Sequence, residues 1–246
     1  MDFTFDDEQL ALQDVARAAL ERECDPQVVR RLVDEPTAMT PALWSTLVEL
    51  GWTGLLVPTE FGGAGTGLLE MTIVAEQMGR RPLPGPFFSS AIAATLAAKT
   101  LGTTELLADL AAEIVGAADR ALTEAIAYTS QRIVFDRPVA TYQTVRHRLV
   151  EMFQQVEMAR AGVQFAAWAS DTDAPERGQA AAMAASYAAE AGVRVTGDDI
   201  QLHGGMGFTW ANDAHFLFKR VKQNEVLIGG AGHERKRLAS LFIESA

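Results

Sequence analysis

Apolar residues recur along most of this chain in steps of three and four, the spacing that lays one stripe along a helix. The longest stripe runs through Tyr142, Val145, Leu149, Met152, Val156, Ala159, Val163 and Ala166 and predicts a buried seam on a single helix. An earlier helix is read from Ile114 to about Gln131, through Val115, Ala118, Leu122, Ala125 and Ile126. Arg132 to Pro138 turns the chain between the two, which implies that they pack antiparallel. From Ala180 to Ala191, eight of twelve positions are alanine. That composition favours helix and lets neighbouring backbones approach closely.

The first half is more broken. Asp6 followed by Gln9 opens a helix carrying Leu12, Val15, Ala16, Ala19 and Leu20, with an end expected near Asp25-Pro26. Thr40 and Pro41 supply the cap and first turn of another, striped by Leu43, Trp44, Leu47 and Val48 before Gly51. Leu55 to Gly67 reads as a loop, and Leu69 to Met78 as a helix stopped by Gly79. Pro82, Pro84 and Pro86 form a stiff connector, after which Ser89 and Ser90 are expected to cap an alanine-rich helix running to about Leu101 and closed by Gly102. Strand alternation is missing apart from a weak candidate at Trp52 to Val57. The pattern therefore predicts an all-α protein. An N-terminal helical domain, 1–110, joins directly to a C-terminal antiparallel helical bundle, 111–246, with the seam near residues 103 to 112.

Composition narrows the chemistry. With 246 residues, 48% of them hydrophobic, the chain can bury a substantial core. The single cysteine, Cys24, excludes an internal disulfide, and no Cys/His cluster has metal-ligand spacing, so no metal is expected. A net charge of −11 opposes binding to nucleic acid. The late basic residues Lys219, Arg220, Lys222, Arg235, Lys236 and Arg237 read as a solvated helix face. No apolar run is long enough to span a membrane and the N-terminus lacks signal-peptide order, so a cytoplasmic protein is expected.

The most unusual stretch is Gln201-Leu202-His203-Gly204-Gly205-Met206-Gly207-Phe208-Thr209-Trp210, where closely spaced glycines let a backbone come up to a ligand. It is neither a Rossmann fingerprint nor a P-loop, and alone it describes a tight turn. His147 and His203 read as hydrogen-bonded structural residues, and Phe208 with Trp210 as packing. The stretch gains meaning beside Tyr128-Thr129-Ser130-Gln131-Arg132-Ile133-Val134-Phe135-Asp136-Arg137-Pro138 and Tyr142-Gln143-Thr144-Val145-Arg146-His147. Together these resemble the C-terminal region of the acyl-CoA dehydrogenase family. Phe3 to Glu8, Leu50-Gly51-Trp52 with Val57-Pro58, and Glu60-Phe61-Gly62-Gly63 resemble its N-terminal region.

The resemblance implies FAD lying across a subunit interface and an acyl-CoA substrate. It puts Arg132 at the pyrophosphate, Gln143 on the cofactor, Phe135 in the turn beside it, and Gln201, Gly204 and Gly205 at the adenosine end. A guanidinium suits a pyrophosphate because it offers several rigid donors. Three departures accompany the likeness: no room is left for the family's central β-domain, Asp136 stands where the family's turn has glycine, and Ala211 stands where related sequences often carry an acid. A fourth touches catalysis, because Ile228 occupies one family position of the proton-abstracting glutamate, and isoleucine takes no proton. Glu105 and Glu113, near the junction, are the remaining carboxylate candidates. The implied role is a degenerate subunit, in a homo-oligomer or with a full-length acyl-CoA dehydrogenase, sharing an FAD site. Two alternatives are a minimal flavoenzyme and a non-catalytic helical scaffold or binding protein.

Overall fold

Capping chemistry starts the N-terminal helices where the sequence places it. In the computed structural model, which describes residues 4–33, 35, 38–96 and 103–244, α1 (Asp7–Glu23) opens on a reciprocal capping box. Gln9 N–H donates to Asp6 Oδ1 at 2.8 Å and Asp6 N–H to Gln9 Oε1 at 3.2 Å. The Asp25-Pro26 pair ends one helix and begins the next, because Asp25 accepts from the Gln27 N–H and Pro26 is the first residue of α2 (Pro26–Leu32). Thr40 caps α3 (Pro41–Glu49), burying Leu43 and Leu47 and leaving Val48 exposed. The weak strand candidate at Trp52 to Val57 forms no strand: Trp52–Gly54 is a short 3₁₀ turn whose Trp52 ring is buried.

The next helix, α4 (Leu68–Arg80), is capped from a distance. Asp171, on another helix, accepts from the N–H groups of Leu68 at 2.6 Å and Leu69 at 2.9 Å. Gly67 leaves room for it, since a Cβ there would lie 2.7 Å from Asp171 Oδ2. Gly79 does not stop α4, which continues to Arg80. Its bareness serves a helix crossing instead: a Cβ at Gly79 would lie 1.9 Å from the Glu113 carbonyl, and one at Gly116 1.7 Å from the Glu76 carbonyl. Two glycines thus bring two backbones into contact.

After the prolines, Phe88–Ala94 forms a π-helical segment. Ser89 and Ser90 do not cap it; their hydroxyls donate back to the Pro86 carbonyl from within the turn. The expected close at Leu101 and Gly102 lies outside the described residues. From Thr103 the chain forms α5 (Thr103–Gln131), which passes unbroken through residues 110 and 111 and starts well before Ile114. Then follow α6 (Gln143–Asp171), α7 (Arg177–His203), α8 (Ala214–Ile228) and α9 (Ala231–Glu244).

The only strands among the described residues are β1 (Ile133–Val134) and β2 (Arg137–Pro138), a hairpin pairing Ile133 with Pro138 and Val134 with Arg137. Its two central residues, Phe135 and Asp136, have φ of 51° and 61°. Positive φ at both central residues of a two-residue hairpin loop is what a type I′ turn requires.

Two cores result. One gathers the α5–α6–α7 interior, where all eight alanines of the alanine-rich stretch are buried and Gly192 admits Ile114 and Val221. The other gathers Leu20, Leu43, Leu47, Trp52, Phe87 and Ile92. α4 serves both, giving Met71, Val74 and Met78 to the second and Leu68 and Ala75 to the first. Arg160 of α6 reinforces the joint, reaching Glu76 of α4 at 3.2 Å and Asp119 of α5 at 3.1 Å.

Candidate functional site

α5 and α7 end side by side. The Tyr128 and His203 rings stack with centroids 4.4 Å apart, which sets Arg132 one helical turn beyond one ring and Gly204 next to the other. The start of α6 joins them, because Arg148 pairs with Asp198 of α7 at 2.9 Å. Arg132, Phe135, Gln143, Gln201, Gly204 and Gly205 therefore gather at one end of the bundle. All six are exposed, and Phe135, at the hairpin tip, is 88% exposed. No ion pair holds Arg132 among the described residues. The hairpin itself is fixed: Tyr142 donates its hydroxyl to the Val134 carbonyl at 2.8 Å, and the Arg137 guanidinium lies 3.9 Å from the Tyr142 ring centroid.

The glycines of the turn have separate reasons. Gly207 is required by the fold, since a Cβ there would lie 2.4 Å from the Ile200 carbonyl. Gly204 is required by its backbone, with φ 61° and ψ −139°, a region almost closed to other residues. At Gly205 a Cβ would meet nothing within 4 Å and φ is not positive. Nothing among the described residues asks for glycine there. A bare, outward backbone suits the close approach of another molecule.

Beneath the turn, the buried His203 places Nδ1 2.9 Å from the Asp199 carbonyl and 3.0 Å from Asp199 Oδ1. Its hydrogen bond to Asp199 raises the imidazole's pKa, while burial raises that of the Asp199 carboxyl. The pair locks the ring that Tyr128 stacks on, so His203 has a structural role. His147, by contrast, is exposed and makes no hydrogen bond among the described residues, contrary to expectation.

Arg30, which the sequence did not single out, clamps the loop after the glycines. It donates to the carbonyls of Trp210 and Ala211, pairs with Asp213, and lies 5.2 Å from the Phe216 ring centroid. Trp210 stays half exposed, stacked on His215 at 4.7 Å.

The acids lie elsewhere. Glu113 is fully buried, accepting from Asn224 Nδ2 at 2.5 Å with Arg220 3.5 Å away. Arg220 is therefore an internal partner and not part of a solvated face, and Arg235 and Arg237 pair with Glu190 and Glu234. Glu105 accepts from the Ser170 hydroxyl at 3.2 Å. Between them Asp109 is fully buried with no hydrogen bond to either oxygen. Burial, and then the charges of Asp171, Glu105 and Glu113, push its carboxyl well above the usual range. Along the axis of α5, Glu113 stands about 28 Å from Arg132 at 1.5 Å per residue. Ile228 closes α8 inside the core.

No cluster of metal-binding side chains and no helix long and apolar enough to cross a membrane occurs among the described residues.

Comparison with known proteins gives the family of the chain. Residues 6–117 match the acyl-CoA dehydrogenase N-terminal domain and residues 107–240 the acyl-CoA dehydrogenase C-terminal domain. Acyl-CoA dehydrogenase IpdE2 of Mycolicibacterium smegmatis is 27% identical over 310 aligned residues, covering 94% of this chain and 98% of that protein. FadE34 of Mycobacterium tuberculosis is 36% identical over 133 residues, 54% of this chain and 19% of its own length. Among solved structures, the ChsE4-ChsE5 complex from Mycobacterium tuberculosis superposes with a TM-score of 0.90 at 20% identity, covering 99% of both chains. Butyryl-CoA dehydrogenase from Megasphaera elsdenii gives 0.82 at 16% identity, covering 99% of this chain and all of that one. The two matched regions meet within α5 with no β-domain between them, and the chain belongs to the acyl-CoA dehydrogenase family.

Proposed function

We propose that this chain is a non-autonomous subunit of an acyl-CoA dehydrogenase assembly, lending its exposed bundle end to an FAD held jointly with a partner subunit. The observation that carries the reading is the gathering of Arg132, Phe135, Gln143, Gln201, Gly204 and Gly205 at one exposed end while Ile228 lies in the core. These residues fit the adenosine and pyrophosphate half of FAD: Arg132 offers unpaired donors, and Gly205 leaves backbone bare where no contact within the chain requires it. When bound, FAD would supply a hydride acceptor. This chain would bind and orient its far half, while Glu105 and Glu113, the carboxylates considered for the substrate proton, lie toward the other end of α5.

Assembly is supported by apolar surface. Val150, Phe153 and Met158 on α6 and Met183 on α7 are all more than 40% exposed, and the hairpin tip offers Phe135. Two structural neighbours are described by paired components, the ChsE4-ChsE5 complex and the Tcur3481-Tcur3483 steroid ACAD, the latter with a TM-score of 0.88 at 20% identity. The partner we infer is a full-length acyl-CoA dehydrogenase.

The test is co-expression with such a partner, followed by size-exclusion chromatography with absorbance read between roughly 350 and 500 nm, where bound flavin shows. A mixed oligomer that is yellow, and loses flavin on Arg132→Ala, is the expected result. Failure to associate overturns the shared site. A yellow protein that oxidises acyl-CoA without any partner replaces it with a self-sufficient flavoenzyme, and a colourless one unaltered by FAD with a helical scaffold.

A further inference from the structure

A cleft of about 180 Å³ opens between α2, the C-terminal end of α4 and the α5–α7–α8 side of the bundle. None of the six candidate cofactor residues lines it. Most of its charged walls are paired: Arg80 meets Asp119, Arg120 meets Glu124 and Asp213 meets Arg30, while Asp199 lies 3.0 Å from His203 Nδ1. Arg81 is the exception: among the described residues no carboxylate pairs with its guanidinium, and its buried Nε has no acceptor.

Behind the cleft, Arg17, Arg80, Arg81 and Arg120 converge with Glu21 and Gln77 on one small void, so four guanidinium groups face a single carboxylate there, and the Arg17 Nε is buried without an acceptor too. The neighbouring Cys24 does not neutralise Arg81, because burial pushes its thiol up to about 12 and keeps it protonated. The rest of the lining is largely apolar, with Val29, Phe216, Leu217 and Pro82.

We propose that this cleft binds a small organic carboxylate, its charged end held by Arg81 and its apolar body laid against Val29, Phe216 and Leu217. A guanidinium presents paired donors that match a carboxylate. Size agrees, since an apolar cavity of about 150 Å³ accepts benzene. A benzoate-sized ligand therefore fits, and the site does not depend on the flavin reading.

Sodium benzoate titrated calorimetrically into the full chain at constant ionic strength tests this, with sodium sulfate and benzyl alcohol as comparison ligands. Saturable benzoate binding is expected, weakened at least about tenfold by Arg81→Gln and by replacing the carboxylate with the alcohol. Ala211→Leu, which keeps every charge but narrows the cleft, weakens it too, whereas Arg132→Ala leaves it unchanged. If Arg81→Gln fails to fold by circular dichroism, Ala211→Leu and the benzyl alcohol comparison still decide. No saturable benzoate binding, equal binding by both narrowed and native clefts, or sulfate binding as tight as benzoate would overturn the proposal.

Discussion

Toward its N-terminus α5 carries Glu105, Asp109 and Glu113 at four-residue steps and turns them inward, whereas at its C-terminal end Arg132, with the hairpin residues beyond it, faces solvent without an ion pair among the described residues. In a globular chain the usual arrangement is the reverse for acids, since a buried carboxylate loses hydration unless it is paired. Each inward acid has a local account: Glu113 is held by Asn224 and Arg220, Glu105 by Ser170, and the pKa of the Asp109 carboxyl is raised well above the usual range by burial. The outward group has no such account among the described residues. The contrast separates residues that hold the fold from residues to which the proposed function gives a partner outside it, and stability and flavin measurements together can break it.

The largest effect belongs to the inward end. Glu113→Ala leaves the Arg220 guanidinium and the Asn224 amide without their buried partner, and breaking such a pair costs about 3–5 kcal/mol. Urea unfolding of the purified chain should show it; a loss below about 1 kcal/mol would mean that the network contributes little. Next come the glycines of the turn. Gly207→Ala forces a methyl against the Ile200 carbonyl and should cost about 1–3 kcal/mol, whereas Gly205→Ala should stay within about 0.5 kcal/mol of the parent. Equal losses at the two positions would remove the case for Gly205 as a ligand-facing residue.

Asp109 gives a pH signature. Because its folded carboxyl titrates well above the unfolded one, the folded state holds an extra proton: the stability linked to this group is complete below about pH 4 and is lost as pH rises towards the raised value. Asp109→Asn removes that loss. Unfolding free energies measured at pH 5 and pH 8 should fall less steeply with pH in the variant than in the parent, and parallel slopes would place the proton elsewhere.

Much of this fold was legible because caps and stripes are local. Asp6, Thr40 and the α6 seam behave as their neighbours in sequence dictate. What escaped was set by residues far along the chain. Gly79 looks like a helix stop until Glu113 is seen beside it, and α4 takes its cap from Asp171 on α6. The hairpin escaped because Phe135-Asp136 lacks the Asn-Gly or Asp-Gly signature of a type I′ turn. Asp199 and His203, four residues apart on one helix, did carry a readable signal. Arg30 and Asp213 carried none. The candidate cofactor residues were named through family motifs, and three separate helix ends had to converge before they formed one surface.

The smallest stability effect tests the contrast most sharply. Arg132 is exposed and unpaired, so Arg132→Ala should change unfolding free energy by no more than about 0.5 kcal/mol. Its consequence should appear only in the mixed oligomer, as flavin lost during gel filtration while the subunits stay together. Arg132→Lys separates charge from shape: a lysine keeps the positive charge but not the planar fork, so it should retain flavin partly. Full retention by the alanine variant would make Arg132 an ordinary solvated side chain, and with it the outward end of α5 would lose its distinction from any other surface.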